Sequence, residues 1–388
     1  MKIGIFTNNY LPNPYGVTRS VETFRRELEK RGHSVFIFAP HWEGYEDKNP
    51  NVFRYPSVDF KIKIRFPLGV PYSKKMDKII KDLNLDIIHS QHPNLLGTAA
   101  AKWARKSIRQ RDGKRIPLIF TWHTLYDKYV NFVPFIPARI ATWYIIRQAV
   151  KFANKADALI VPTDSIIPIL KKWGVVNKNI TSIATGVLEE EFENSDKNKI
   201  REKYNIKNDE TVLFMVSRLT EEKNVEFAFR SLKNILKKGG IKFLIAGDGY
   251  LRVKLEEFCK KEGIVEKVIF CGEVERSEIK NYYAAADIFV YSSKSETQGM
   301  IITEAMYMGL PIVALSAPGV SSLVLNRGNG FLVSEKEIDF QAAVEKLIAD
   351  RELRDKFSEV SARLAREKFT SGVCAEKMLE VYEECLKK

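Results

Sequence analysis

The sequence predicts an α/β protein with two doubly wound domains, and three observations carry that reading. Short apolar, β-rich runs alternate with amphipathic helical segments, the pattern of parallel strands joined by helical crossovers. The rhythm lapses once, in "TGVLEEEFENSDKNK" at residues 185–199, and then restarts. At 388 residues the chain is also longer than one core ordinarily supports.

In order, the first set of predicted strands is "KIGIFT", "SVFIFAP", "DIIHS", "PLIFTWH", "ALIVPT" and "ITSIAT". The second is "TVLFMVS", "KFLIAGDG", "KVIFCG", "DIFVYSS" and "PIVALS", with helices such as "VEFAFRSLKNILKKGG" between them. Acidic and amide residues accumulate at the lapse, which puts the boundary near Glu189 and gives domains of residues 1–188 and 189–370. Val373, Met378, Leu379, Tyr382 and Leu386 have helical spacing, so residues 371–388 read as a terminal helix that can pack on either domain, a return onto the first being one of the two placements. Two Rossmann-like domains facing each other bring the C-terminal ends of their strands to one cleft, where open α/β sheets bind ligands. No strict G-x-G-x-x-G follows the first strand, so nicotinamide dinucleotide binding by that fingerprint has no support.

Composition narrows the class. With 45% hydrophobic and 29% charged residues the chain reads as globular rather than disordered. "MKIGIF" enters a strand at once, without the pattern of an export signal, and "ATWYIIRQAV" is interrupted by Arg147, so no spanning helix is predicted. Cys259, Cys271, Cys374 and Cys385 match neither a redox pair nor a zinc pattern, which suits reduced packing residues in a cytoplasmic protein. The net charge is +13, and residues 61–155 hold 19 basic against 5 acidic side chains. That bias predicts an anionic partner: a nucleic acid, a phosphorylated substrate or an anionic membrane surface.

Four stretches can carry chemistry. In "SETQGMIITEA", Glu296 and Glu304 stand eight positions apart around Gly299. Gln298, Gly299 and Met300 form a loop and helix entry suited to phosphate oxygens, and Glu304 is expected in or near the first helical turn. Two carboxylates beside such a cradle suit sugar hydroxyls, while the spacing by itself favours a solvated Glu296 and a helix-dipole role for Glu304. In "SRLTEEKN", Arg218 and Lys223 follow a strand and could meet a leaving diphosphate, or be surface charges. In "YLPNPYGVTRSVETF", Gly16 and Val17 precede a helix for which Thr18 is the expected N-cap. In "FTWHTLYDKY", His123 falls just after a strand, whereas His89 and His92 in "HSQHP" read as packing or supporting residues; no set has metal-ligand spacing.

Taken in order, these pieces resemble the retaining glycosyltransferases of family 4, which have the GT-B fold, over nearly the whole chain. The wording "FTNNYLP", "YGVTRSVETF", "ELEKRGHSVFIFAP", "FTWHTLYDKYV" and "SETQGM" is similar to bacterial 1,2-diacylglycerol 3-glucosyltransferases and, more distantly, to phosphatidylinositol mannosyltransferases. Where many relatives have an E-G-F-G loop, this chain has Glu296-Thr297-Gln298-Gly299. The resemblance implies an acceptor-binding first domain and a second domain that binds a nucleotide sugar, UDP-glucose, with no other cofactor and no metal. Arg218 and Lys223 would then hold the diphosphate, helped by Gly16, Val17, Gln298 and the backbone at Gly299, Met300 and Ile301. Glu304 would take the ribose, Glu296 the transferred sugar, His123 its hydroxyls, and Gly272 to Val274 the base.

It further implies a lipid acceptor such as diacylglycerol and peripheral association with the cytoplasmic face of a membrane. Lys74, Lys75, Lys78 and Lys81 in "YSKKMDKIIKDL" alternate with Met76, Ile79, Ile80 and Leu83 as in a basic amphipathic helix, or as in a solvated face over a packed one. Phe132, Phe135, Ile136 and Trp143 could enter lipid, with Arg139 and Arg147 toward headgroups, or pack on the first sheet. Two alternatives remain at this level: the same enzyme class with a soluble sugar or glycan acceptor, and a basic nucleic-acid-binding protein, for which no reading motif is present.

Overall fold

Apolar runs such as Ala158–Val161 and Ile312–Leu315 are buried at every position, as parallel strands must be when helices cover both faces of their sheet. The computed structural model describes residues 1–13, 16–61, 65–109, 112–126 and 138–388. Its residues divide into two units, Met1–Gly186 with Ser371–Lys388, and Val187–Thr370.

In the first unit the strands are β1 (Lys2–Phe6), β2 (Ser34–Pro40), β3 (Val52–Tyr55), β4 (Ser57–Lys61), β5 (Arg65–Gly69), β6 (Ile87–Ser90), β7 (Leu118–Thr121), β8 (Ala158–Val161) and β9 (Ile180–Ser182). The helices are α1 (Gly16–Lys30), α2 (Lys74–Leu83), α3 (Leu96–Lys106), α4 (Ala138–Ala153) and α5 (Ile167–Trp173). The sheet is parallel in the order β3-β2-β1-β6-β7-β8-β9, and β4 and β5 form a separate antiparallel hairpin. The order reverses between β1 and β6, so the loops after those strands diverge at that point.

The second unit contains α6 (Lys197–Lys203), β10 (Thr211–Val216), α7 (Val225–Lys237), β11 (Ile241–Ala246), α8 (Arg252–Glu262) and β12 (Val268–Gly272). There follow α9 (Ile279–Ala285), β13 (Ile288–Tyr291), α10 (Met300–Tyr307), β14 (Ile312–Leu315), β15 (Gly330–Val333), α11 (Glu337–Ala349) and α12 (Arg351–Lys368). Its parallel order, β12-β11-β10-β13-β14-β15, is the doubly wound 3-2-1-4-5-6 arrangement with its switch point between β10 and β13. Alternation along β10 feeds two cores. Leu213 and Met215 pack with Phe229, Leu232 and Phe340, while Val212 and Phe214 pack with Tyr282, Tyr283 and Ile302.

The last helix, α13 (Ser371–Lys387), belongs to the first unit. Ser371 Oγ donates to Glu27 Oε1 at 3.1 Å, and Arg109 donates to the Leu386 carbonyl at 3.2 and 3.3 Å, satisfying an acceptor at the helix C-terminus. Tyr382 OH lies 2.7 Å from His89 Nδ1, whose Nε2 is 2.7 Å from Thr121 Oγ1.

Sequence reading overlooked β3, β15 and the hairpin. It also misplaced Thr18: α1 begins at Gly16, so Thr18 lies within the first turn, 2% exposed, and is not the N-cap. The strand predicted to run to Ser292 or Ser293 ends at Tyr291. Phe132, Phe135 and Ile136 lie outside the described residues.

Burial pushes the pKa of His89 down to about 3 and that of His92 down to about 4. An unfolded imidazole takes its proton near pH 6.5, so between those values the unfolded state binds more protons and stability rises with pH. The contribution is fully present above about pH 6.5 and is lost as pH falls toward the folded values. The urea midpoint should therefore be clearly lower at pH 5.5 than at pH 7.5, a window above the range in which carboxylates titrate. Equal midpoints would contradict neutral buried imidazoles.

Candidate active site

The switch point of the second sheet makes β10 and β13 neighbours, with Phe214 opposite Phe289, so the loops leaving their C-terminal ends emerge together. The first loop runs from Ser217 to a short 3-10 turn at Glu221–Lys223, and Asn224 enters α7 in a left-handed conformation at φ 53°. Its backbone is fastened to the segment after β11: Leu219 N donates to Asp248 O at 2.9 Å, and Leu251 N to Leu219 O at 3.1 Å. The second loop is joined to the first by two serines. Ser292 Oγ donates to Lys223 O and Ser295 Oγ to Glu222 O, each at 3.2 Å.

This fastening brings Lys223 and Glu296 together. The Lys223 ammonium pairs with Glu296 Oε1, their side chains being 14% and 18% exposed. Tyr291 OH donates to the same oxygen at 2.7 Å, and Ser293 Oγ at 3.0 Å. Burial alone would push the Glu296 carboxyl up, but Lys223, Tyr291 and Ser293 together hold it below its ordinary value, so it is ionised near neutrality. Arg218 is more exposed and pairs with Glu222 Oε1 at 2.9 Å.

Gly299 caps α10 at φ 72°, a conformation in which a side chain is strained, and no acidic residue occupies the first turn of that helix. The amides at its N-terminus therefore retain their pull on an anion. Gly319, also left-handed, lies against the same loop, where a Cβ would come within 2.4 Å of the Glu296 carbonyl oxygen. Gln298 is buried, and the Ile301 carbonyl accepts from Tyr283 OH at 3.3 Å.

Glu304 departs from expectation. Because α10 starts at Met300, Glu304 lies in the second turn, 3% exposed, and the helix-dipole reading of a first-turn carboxylate does not apply. Its Oε2 accepts from Arg276 Nη1 at 3.1 Å and from Tyr283 OH at 3.0 Å. Arg276 also donates from Nε to Glu191 at 2.7 Å and stacks over the Phe192 ring at 4.9 Å. Gly272 ends β12, its carbonyl accepting from Gly247 N at 2.7 Å, and Val274 packs against the core beneath α10.

In the first unit, Gly16 and Val17 open α1. His123 Nε2 is 2.7 Å from Gln91 Oε1, and since an amide oxygen only accepts, Nε2 carries the proton. Burial, then His92 and His89, pushes the His123 pKa down to about 3, so it is a neutral hydrogen-bonding group and not a cation. Gln91, Tyr291, Ser292, Ser295 and Gly319 were not recognised in the sequence; only the Pro-Gly turn at Gly319 left a local signal. Among the described residues no three His, Cys, Asp or Glu side chains gather as a metal-binding group.

Comparison with known proteins gives these features a family. Residues 14–191 match the family described as Glycosyltransferase Family 4, and residues 196–363 match Glycosyl transferases group 1. The chain is 33% identical over 382 residues to "Alpha-monoglucosyldiacylglycerol synthase" of Streptococcus pneumoniae, covering 93% of this chain and 83% of that one. It is 29% identical over 353 residues to the protein of the same name in Acholeplasma laidlawii, covering 87% and 86%. An Anabaena protein solved in complex with UDP-glucose superposes with a TM-score of 0.75 at 19% identity, over 99% of this chain and all of that one. Similarity of this extent, across both doubly wound units, identifies the chain as a member of glycosyltransferase family 4 with the GT-B fold, and hence as a glycosyltransferase.

Proposed function

We propose that the enzyme transfers a hexose, glucose, from UDP-glucose to a membrane lipid, diacylglycerol, with retention of the anomeric configuration. The observation that carries this reading is near whole-length similarity to two proteins named for monoglucosyldiacylglycerol synthesis, in a chain whose second switch point pairs Lys223 with an ionised Glu296 and sets Arg218 beside Glu222. UDP-glucose, the ligand of the Anabaena structure, is the donor we carry over.

In this mechanism the acceptor hydroxyl attacks from the face that the nucleoside diphosphate leaves, and a phosphate oxygen takes its proton. Negative charge develops on the diphosphate as the glycosidic bond breaks. Arg218, Lys223 and the amides at Met300 and Ile301 balance it, with Gly16, Val17 and Gln298 lining the donor. The exposed Arg218–Glu222 pair is worth at most about 1 kcal/mol, so it yields readily to a dianion. Lys223, on a flexible stem, pairs with Glu296 in the free enzyme and turns to a phosphate oxygen when the donor binds. Glu296 accepts from a hexose hydroxyl, Glu304 from the ribose, neutral His123 contacts the sugar, and Gly272 to Val274 flank the base.

The lipid acceptor implies docking on an anionic surface at the cytoplasmic face. Lys74, Lys75, Lys78 and Lys81 are exposed on α2, whereas Met76 and Ile80 are buried in the core, so α2 offers charge and not an insertable face. Apolar contact comes from α4, where Ile140, Trp143 and Tyr144 are 59%, 57% and 57% exposed and Arg147 stacks over Trp143 at 5.1 Å. Among the described residues no helix is long and apolar enough to cross a membrane.

Arg218→Ala and Lys223→Ala should each lower turnover about a hundredfold, the equivalent of roughly 3 kcal/mol of lost stabilisation of the leaving group. Thermal midpoints close to the parent's would locate the loss in chemistry, and near-parental turnover in either folded variant would remove that residue from the site. The parent should sediment with vesicles containing anionic lipid and be released by salt. The fourfold Lys→Glu variant of α2 should lose that binding, since each lysine near an anionic surface contributes about 1 kcal/mol. A parent that binds no anionic vesicle would favour a soluble acceptor.

A further inference from the structure

The hydrogen bonds to the Glu296 carboxylate from Lys223, Tyr291 and Ser293 all end on one atom, Oε1. Their donors differ in mobility. Lys223 reaches Oε1 on a flexible four-carbon stem and, under the proposed function, is drawn toward a diphosphate. Tyr291 is the last residue of β13, paired with Ala314 of β14, 2% exposed, its ring stacked on Phe289 at 6.2 Å. Ser293 is 1% exposed. Neither can leave its position without disturbing the C-terminal end of β13 or the loop fastened to Lys223 and Glu222.

We propose that Tyr291, assisted by Ser293, is a positioning residue: its hydroxyl holds Oε1 of Glu296 while Lys223 is engaged by phosphate, leaving Oε2 to accept from the hexose. The inference rests on the reading of Glu296 as the hexose-binding carboxylate. Two neutral donors on a rigid strand end suit this task, because they orient the carboxylate and keep it ionised without competing for the anionic donor. A second lysine there would bind the diphosphate itself, and an aliphatic residue would let the carboxylate rotate when Lys223 moves.

The test compares the parent with Tyr291→Phe, Ser293→Ala and Glu296→Gln in the full chain. Diacylglycerol vesicles serve as acceptor, with UDP-glucose, UDP-galactose and GDP-mannose as donors. Tyr291→Phe keeps the ring and should keep the thermal midpoint and the affinity for UDP measured by calorimetry. It should lower kcat about tenfold with whichever donor turns over, and Ser293→Ala should lower it less. The acid limb of the pH profile of kcat should move to higher pH in Tyr291→Phe, because fewer donors then hold Glu296 ionised; a purely structural role for the ring would not move it.

If Glu296→Gln loses transfer while Tyr291→Phe matches the parent in kcat and pH profile, the proposal fails and the reading of Glu296 stands. If Glu296→Gln also matches the parent, or no donor turns over in the parent, that reading fails and takes the proposal with it.

Discussion

The Lys223–Glu296 ion pair is the contact around which the two loops at the second unit's switch point are arranged. Both partners are largely withdrawn from water, so each is costly to hold alone, and the pair persists because Tyr291 and Ser293 add hydrogen bonds to the carboxylate. Its location follows from topology. The reversal of strand order makes β10 and β13 neighbours, so the loops after them leave the sheet side by side. Residues 73 positions apart thereby meet.

Holding the pair requires irregular backbone, and the structure supplies its support from elements beyond the two loops. Ser292 and Ser295 join one loop to carbonyls of the other, and Glu335, beyond β15, accepts from both Lys294 and Asn224. Gly319 allows the turn after β14 to lie directly against the Glu296 backbone. Left-handed positions at Asn224, Gly299 and Gly319 gather around this loop set, the usual location of strain that the surrounding packing must over-determine.

The first unit solves a different problem. Its sheet end carries imidazoles rather than cations, and burial keeps them neutral. Gln91 orients the neutral His123 through its Nε2. Positive charge is kept instead on the exposed side of α2, over a packed apolar face.

The strands covered on both faces were legible because a continuous apolar run bounded by turns has few other interpretations; Ala158–Val161 and Ile312–Leu315 are of this kind. The strand β3, whose residues Val52, Phe53 and Arg54 are only partly buried at a sheet edge, lacks that signature and was overlooked. Arg218, Lys223 and Glu296 were legible as candidates because each follows a strand, but sequence left them indistinguishable from surface charges. Tertiary structure alone joined Lys223 to Glu296, turned Tyr291 and the serines into their supports, buried Glu304 against Arg276, and brought Tyr382 to His89 across 293 positions. The reason is physical: a strand's burial is encoded by neighbours in the chain, whereas the partner of a polar side chain is set by which strands adjoin, and that order is a property of the whole sheet.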